Sequence, residues 1–70
     1  MGVCYNKLFK LLIDKKVKKT ELANKANISS STMAKLSKDE FVSLEVLAKI
    51  CKVLECNIGD IVDVVEKGEE

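Results

Sequence analysis

Apolar residues recur along this chain at intervals of three and four, the spacing that places them on one face of a helix. The clearest stripe is formed by Leu44, Leu47, Ile50, Cys51 and Leu54, and shorter stripes lie on either side of it. The pattern predicts five helices, over about residues 6–15, 19–26, 30–38 and 44–54, and from about 57 through 58, 61 and 62.

Polar residues beside the stripes predict where these helices begin and end. Asn6, Ser29 and Ser43 are suited to N-cap positions, because their side chains accept hydrogen bonds from the free N–H groups of a first helical turn. Asn27 is suited to end the second helix, because asparagine tolerates the left-handed conformation that helix C-termini favour.

The two ends of the chain carry a different pattern. Residues 2–5 and 62–65 are β-branched or alternate between apolar and polar. They either pair as a short two-stranded ribbon or form a coil and an extension of the fifth helix. Residues 66–70 are expected to be a frayed tail.

Size and composition favour one small helical domain spanning residues 1–70. The chain is 47% apolar and contains three aromatic residues and no proline. This composition fits an all-α, compact five-helix fold better than a sheet protein. The chain shows no membrane-spanning apolar run and no secretory signal, so we expect a cytoplasmic protein without membrane contact.

Charge is divided unevenly along the chain although the net charge is only +1. Residues 1–38 hold nine lysines and two acids, a net of +7, whereas residues 39–70 hold three lysines and nine acids, a net of −6. A basic half can bind phosphate while an acidic half stays away from it. The alternative is that the lysines only solvate the helices.

Side chains for catalysis and metal binding are scarce. The chain has no histidine, and Cys4, Cys51 and Cys56 form no C-x-x-C pair. Zinc binding and a disulfide set are therefore not expected, Cys51 is expected to pack in the core, and a thiol switch at Cys56 or Cys4 is not favoured. Neither a nucleophile elbow nor a Gly-rich phosphate loop is present, so we expect no enzyme, no cofactor and no small-molecule substrate.

The most informative feature is the pair of short segments on either side of Asn27, within residues 18–38. Two helices of about eight residues joined by a short turn form a helix-turn-helix. Ala23 is small enough for the second helix to cross it, Asn27 suits the turn, and Ile28 can anchor the turn in the core. Met33 and Leu36 then supply the buried face of the second helix.

The sequence also resembles a known family. The resemblance is carried by residues 17–36, VKKTELANKANISSSTMAKL, and by residues 44–62, LEVLAKICKVLECNIGDIV. These stretches are similar to the helix-turn-helix and to the fourth and fifth helices of the phage repressor/Cro-type (XRE) family, including a bacterial subgroup with a K-I-C-x-x-L-x-C-x-x-G-D-I run. The resemblance covers about residues 6–65 and implies a lambda-repressor-like DNA-binding domain.

The resemblance also implies which residues meet DNA. Ser29, Ser30 and Ser31 match the start of the recognition helix, with Thr32 beside them, and Lys35 matches a major-groove position one turn later. Hydroxyls pair with either kind of base, and lysine donates to guanine O6 and N7.

Three further lysines are expected to contact the phosphate backbone. Lys18 and Lys19 match the start of the second helix, where exposed amides also suit phosphate. Lys38 matches the loop after the recognition helix.

Two departures from the family pattern affect these expectations. Family members often pair an arginine on the first helix with a glutamate at the end of the third, where this chain has Leu12 and Ser37. Apolar packing is expected to replace that ion pair. The chain also has no arginine, and its recognition segment is rich in hydroxyls, so modest base specificity or readout through water and DNA shape is expected.

These observations together predict a sequence-specific double-stranded DNA-binding protein. We expect a transcriptional regulator, more specifically a repressor, that places its recognition helix in the major groove as a homodimer. The alternatives are a protein-interaction module of the same fold, antitoxin-like or polymerase-associated, and a structural domain of a larger assembly.

Overall fold

The computed structural model describes residues 2–66 of the 70-residue chain. In chain order its elements are β1 (Gly2–Cys4), α1 (Asn6–Lys15), α2 (Lys19–Ala26), α3 (Ser30–Ser37), α4 (Leu44–Leu54), a single 3-10 turn (Ile58–Asp60) and β2 (Asp63–Val65). Of the predicted tail, residues 67–70 lie outside the described residues. No helix between residues 2 and 66 is long and apolar enough to cross a membrane.

One core joins these elements. Each helix contributes a fully buried side chain, and a fifth comes from the residue after the 3-10 turn: Leu8, Leu22, Leu36, Ile50 and Ile61. Every apolar stripe of the sequence therefore contributes to this core. The helix α2 packs against both α3 and α4, which anchors the predicted helix-turn-helix directly on the core.

The ends of the described chain pair as an antiparallel ribbon. Gly2 lies opposite Val65, Val3 opposite Val64, and Cys4 opposite Asp63. The ribbon that the alternating pattern allowed is therefore confirmed, and the alternative of a longer fifth helix is wrong.

The predicted fifth helix is wrong because its residues form only the 3-10 turn, so residues 2–66 contain four α-helices. The Asn57 N–H donates to Asp60 Oδ2 at 3.0 Å, and the Asp60 N–H donates to the Asn57 carbonyl at 2.9 Å. These two bonds close a single turn. The β-branched residues Ile61, Val62, Val64 and Val65 then favour an extended chain, and β1 supplies hydrogen-bonding partners for residues 63–65.

The start of α1 also differs from the prediction. Asn6 is the first residue of the helix, and Tyr5 occupies the N-cap without a side-chain capping bond. Tyr5 is buried, its N–H donates to Asp39 Oδ1 at 3.0 Å, and its hydroxyl donates to the Glu40 carbonyl at 2.8 Å. The long-range anchoring of Tyr5, rather than a local cap, sets where α1 begins.

All four helices end in the same way. A residue with positive φ follows each helix closely, and the next N–H donates back to a carbonyl five residues earlier, which is the six-to-one bond of a Schellman motif. The left-handed residues are Lys16, Asn27, Asp39 and Glu55. The N–H groups of Val17, Ile28 and Glu40 donate to the carbonyls of Leu12, Ala23 and Lys35, respectively, each at 2.9 Å. The Cys56 N–H donates to the Cys51 carbonyl at 3.1 Å.

Candidate nucleic-acid interface

The helix-turn-helix is built by α2, a three-residue turn and α3. Asn27 has φ 57° and ψ 51°, which confirms the predicted left-handed turn residue. Ser29 is extended, and its side chain accepts a hydrogen bond from the Thr32 N–H at 3.3 Å, which confirms it as the N-cap of α3. The turn therefore ends one helix and begins the next within three residues.

Apolar side chains hold this unit in a single orientation. Leu22 and Ala26 of α2 and Met33 and Leu36 of α3 are buried. Ala23 and Ile28 are half-buried and pack against the core. Because the inner faces of both helices are fixed in this way, the polar face of α3 is held at the surface.

The start of α3 presents hydroxyl groups that are bonded to one another. Ser29, Ser30 and Ser31 are exposed and Thr32 is half-buried. The Ser29 Oγ lies 3.0 Å from the Ser31 Oγ and donates to the Thr32 Oγ1 at 3.0 Å. Reading a base through Ser31 or Thr32 therefore requires these internal bonds to be exchanged, whereas Ser30 takes no part in the bonds among Ser29, Ser31 and Thr32.

Two lysines flank the rest of α3. Lys35 is exposed in the last turn of the helix, and Lys38 is exposed at its C-cap. The prediction that the helix includes Lys38 is wrong by one residue, since α3 ends at Ser37. Both ammonium groups are accessible from solvent.

The start of α2 carries the other predicted phosphate contacts. Lys18 is the extended N-cap residue and Lys19 is the first helical residue, and both are exposed. The free N–H groups of a helix's first turn and its dipole favour an anion at this end. Positive charge from Lys18, Lys19 and the helix N-terminus is thus concentrated at the start of α2.

One contact in this region was missed by sequence reasoning. The Lys19 Nζ lies 4.6 Å from the centroid of the half-buried Phe9 ring on α1. The ring attracts the ammonium group and restricts where it lies. No local spacing signals this contact, because the two residues are ten apart and on different helices.

The expectation that apolar packing replaces the family's ion pair at Leu12 and Ser37 is met only in part. Leu12 is buried in the core, as the expectation of apolar packing requires. Ser37 is exposed, so it does not join Leu12 in the core, and apolar burial replaces only the first-helix side of the family's ion pair.

Comparison with known proteins defines the class of protein. The family model of the Cro/C1-type HTH DNA-binding domain matches residues 7–67. The chain therefore belongs to the Cro/C1-type HTH DNA-binding domain family.

A solved structure narrows this class. The chain is similar to the crystal structure of the transcriptional regulator VanUg (Form II), with 52% sequence identity and a TM-score of 0.91. The alignment covers 94% of this chain and 88% of that one. No curated protein sequence matches this chain at a significant level.

Proposed function

We propose that this chain is a transcriptional regulator that binds double-stranded DNA by placing α3 in the major groove. The observation that carries the proposal is the exposed polar face of α3, held on a buried scaffold by the Asn27 turn. Membership of a DNA-binding domain family and the likeness to a transcriptional regulator support it.

In this proposal the surface residues divide into two roles. Base edges are contacted from the start of α3 and its middle, by Ser29, Ser30, Ser31, Thr32 and Lys35. The phosphate backbone is contacted by Lys18, Lys19 and Lys38. The internal hydroxyl bonds of Ser29 weaken direct readout, so Ser30 and Lys35 contribute most of the base preference.

The experiment starts from selection of bound sequences in random duplex DNA, followed by titration of the selected duplex and a scrambled one. We expect Lys35→Ala to reduce the preference for the selected duplex by about tenfold or more, the value of a lost base contact. Lys19→Ala is expected to weaken both duplexes alike and to lower the slope of log affinity against log salt by about one.

Lys52→Ala is the matched control, because Lys52 is an exposed lysine on α4. We expect it to leave both affinities and the salt slope nearly unchanged. If the Lys35, Lys19 and Lys52 variants bind alike, or if duplex affinity is insensitive to salt, the assignment of this surface is wrong.

We further propose that the active species is a cytoplasmic homodimer acting as a repressor. One α3 helix covers few base pairs, and two-fold proteins match half-sites about 34 Å apart. Sedimentation with and without the selected duplex tests the stoichiometry. A reporter under a promoter that contains the selected site tests the sign: repression lowers its output, and a rise would contradict that part of the proposal.

A second candidate function is a protein-interaction module of the same fold. It is favoured by Phe41 and Leu44, apolar side chains that are 63% and 65% exposed just after the recognition helix. A Phe41→Ser, Leu44→Ser variant that retains DNA affinity but loses a protein partner would support this function. Loss of neither activity would leave these residues without a role in recognition.

A further inference from the structure

Two cysteines occupy the paired positions of the motif that ends α4. Cys51 lies in the last turn of the helix, Glu55 has φ 55° and ψ 53°, and Cys56 follows it. The Cys56 N–H donates to the Cys51 carbonyl at 3.1 Å. In a Schellman motif the side chains at these two positions commonly contact each other.

The equivalent positions elsewhere in the chain show what this geometry does. Two of the three other pairs belong to the core or pack against it, namely Leu12 with Val17 at the end of α1 and Ala23 with Ile28 at the end of α2, whereas Lys35 and Glu40 at the end of α3 are exposed. The ordinary role of such a pair is apolar contact. At the end of α4 the same positions are held by two sulfur atoms.

The two thiols are also accessible. Cys51 and Cys56 are both half-buried, both pack against the core, and both line one surface cleft together with Lys52, Asn57 and Asp60. A small solute can therefore reach both thiols from the same cleft.

We propose that Cys51 and Cys56 form a dithiol modification site, which a low-molecular-weight disulfide oxidises reversibly to an intramolecular disulfide bond. The remaining cysteine, Cys4, lies in β1 opposite Asp63 and does not line the cleft that Cys51 and Cys56 share. A metal is a poorer occupant: the described residues contain no group of three or more His, Cys, Asp or Glu side chains placed to hold one.

The environment assigns a different role to each thiol. Burial first, and then the neighbouring Cys51, together raise the pKa of Cys56 to about 11. Cys56 therefore stays protonated near neutral pH. Since the thiolate is the nucleophile in exchange, first attack by Cys56 is disfavoured, and in the proposed order Cys51 attacks and Cys56 resolves.

The exchange balances in two steps. The Cys51 thiolate attacks one sulfur of the small disulfide and breaks its S–S bond, which gives a mixed disulfide and one small thiol. The Cys56 sulfur, on losing its proton, then attacks the Cys51 sulfur and releases the second small thiol. Two protein thiols become one disulfide, and the small disulfide is reduced to two thiols.

The test incubates the full chain with about a tenfold excess of glutathione disulfide over glutathione and then blocks the remaining thiols with an alkylating reagent. We expect the main species to carry one alkyl group, on Cys4. Cys51 and Cys56 should be protected from the reagent and should together have lost the mass of two hydrogens. Dithiothreitol should restore three reactive thiols. Because closing a loop restricts the unfolded chain, the oxidised protein should also melt about 4 °C or more higher.

Three variants separate the roles. Cys4→Ser should oxidise like the original chain, Cys56→Ser should accumulate glutathione on Cys51, and Cys51→Ser should leave Cys56 largely unmodified. The proposal is wrong if all three thiols of the original chain remain reactive, or if oxidation produces only linked dimers. The original chain decides the matter even where a variant does not fold.

Discussion

The turn after α2 and the turn after α4 have nearly the same backbone but lead to different structures. Asn27 and Glu55 have φ 57° and 55°, and each is followed by a half-buried residue and then an extended N-cap residue. The first turn leads into the eight residues of α3, whereas the second leads into the three-residue 3-10 turn.

What the next residues can bury explains the difference. After the first turn, Met33 and Leu36 lie one turn apart and are both buried. After the second, Ile61 is buried, but the β-branched residues that follow it pair with β1. A capping signal therefore specifies where a helix begins, while burial and an available strand partner decide whether it continues.

The largest expected effect comes from a substitution that removes the buried support of α3. Leu36 is fully buried, so Leu36→Ala removes apolar burial and leaves a cavity, at a cost of about 3 kcal/mol in the free energy of unfolding. Urea unfolding followed by circular dichroism measures it. Ser37→Ala, one residue away and exposed, is the control and should change stability by less than about 0.5 kcal/mol. Equal effects of the two substitutions would contradict the dependence of α3 on burial.

A smaller effect tests the strand partner of the second region. Val3 is buried and lies opposite Val64, which is 72% exposed. Val3→Ala should lower the free energy of unfolding by about 1.5 kcal/mol, whereas Val64→Ala should lower it by only a few tenths. Both values come from the same urea titration. If Val64→Ala costs as much as Val3→Ala, inward packing is not what holds the ribbon.

The left-handed residues of these two turns, Asn27 and Glu55, provide a finer test. Glycine adopts positive φ without strain, while a glutamate pays a conformational penalty there. Glu55→Gly should therefore raise the free energy of unfolding by about 0.5 kcal/mol after the entropy of the unfolded chain is included. Asn27→Gly should change it little, since asparagine already tolerates this conformation. Equal stabilisation by both would show that residue type at the turn is unimportant.

The smallest effect concerns pH at the second turn. The folded state keeps Cys56 protonated up to a pKa of about 11, above its ordinary value of 9.0. The contribution of protonated Cys56 to the free energy of unfolding is thus fully present below pH 9 and is lost as the pH rises toward 11. Urea midpoints are compared at about pH 8 and pH 10.5. The midpoint of the original chain should fall further between these two pH values than the midpoint of Cys56→Ala. Tyr5, whose pKa is also raised by burial, is present in both and serves as an internal reference. An identical loss in the two proteins would contradict the prediction.

The scaffold of the candidate interface was predictable because its signals are local. Asn27 and Ser29 act through bonds within five residues of the chain, and the buried positions of α2 and α3 follow helical spacing. The support of Lys19 by Phe9 was not predictable, since it joins two helices. Assignment of individual lysines and hydroxyls to DNA is a proposal, and the Lys35 and Lys19 variants test it for the lysines.

The sequence by itself determined the four amphipathic helices, the caps at Ser29 and Ser43, and the turn at Asn27, because each depends on interactions within about one helical turn. The tertiary structure alone decided that residues 63–65 pair with β1 and that Tyr5, held by Asp39 and Glu40, begins α1. It also decided that Cys51 and Cys56 line one cleft, because Glu55 adopts a left-handed conformation that its side chain does not favour. Those outcomes depend on partners distant in the chain or on strain that the folded core offsets.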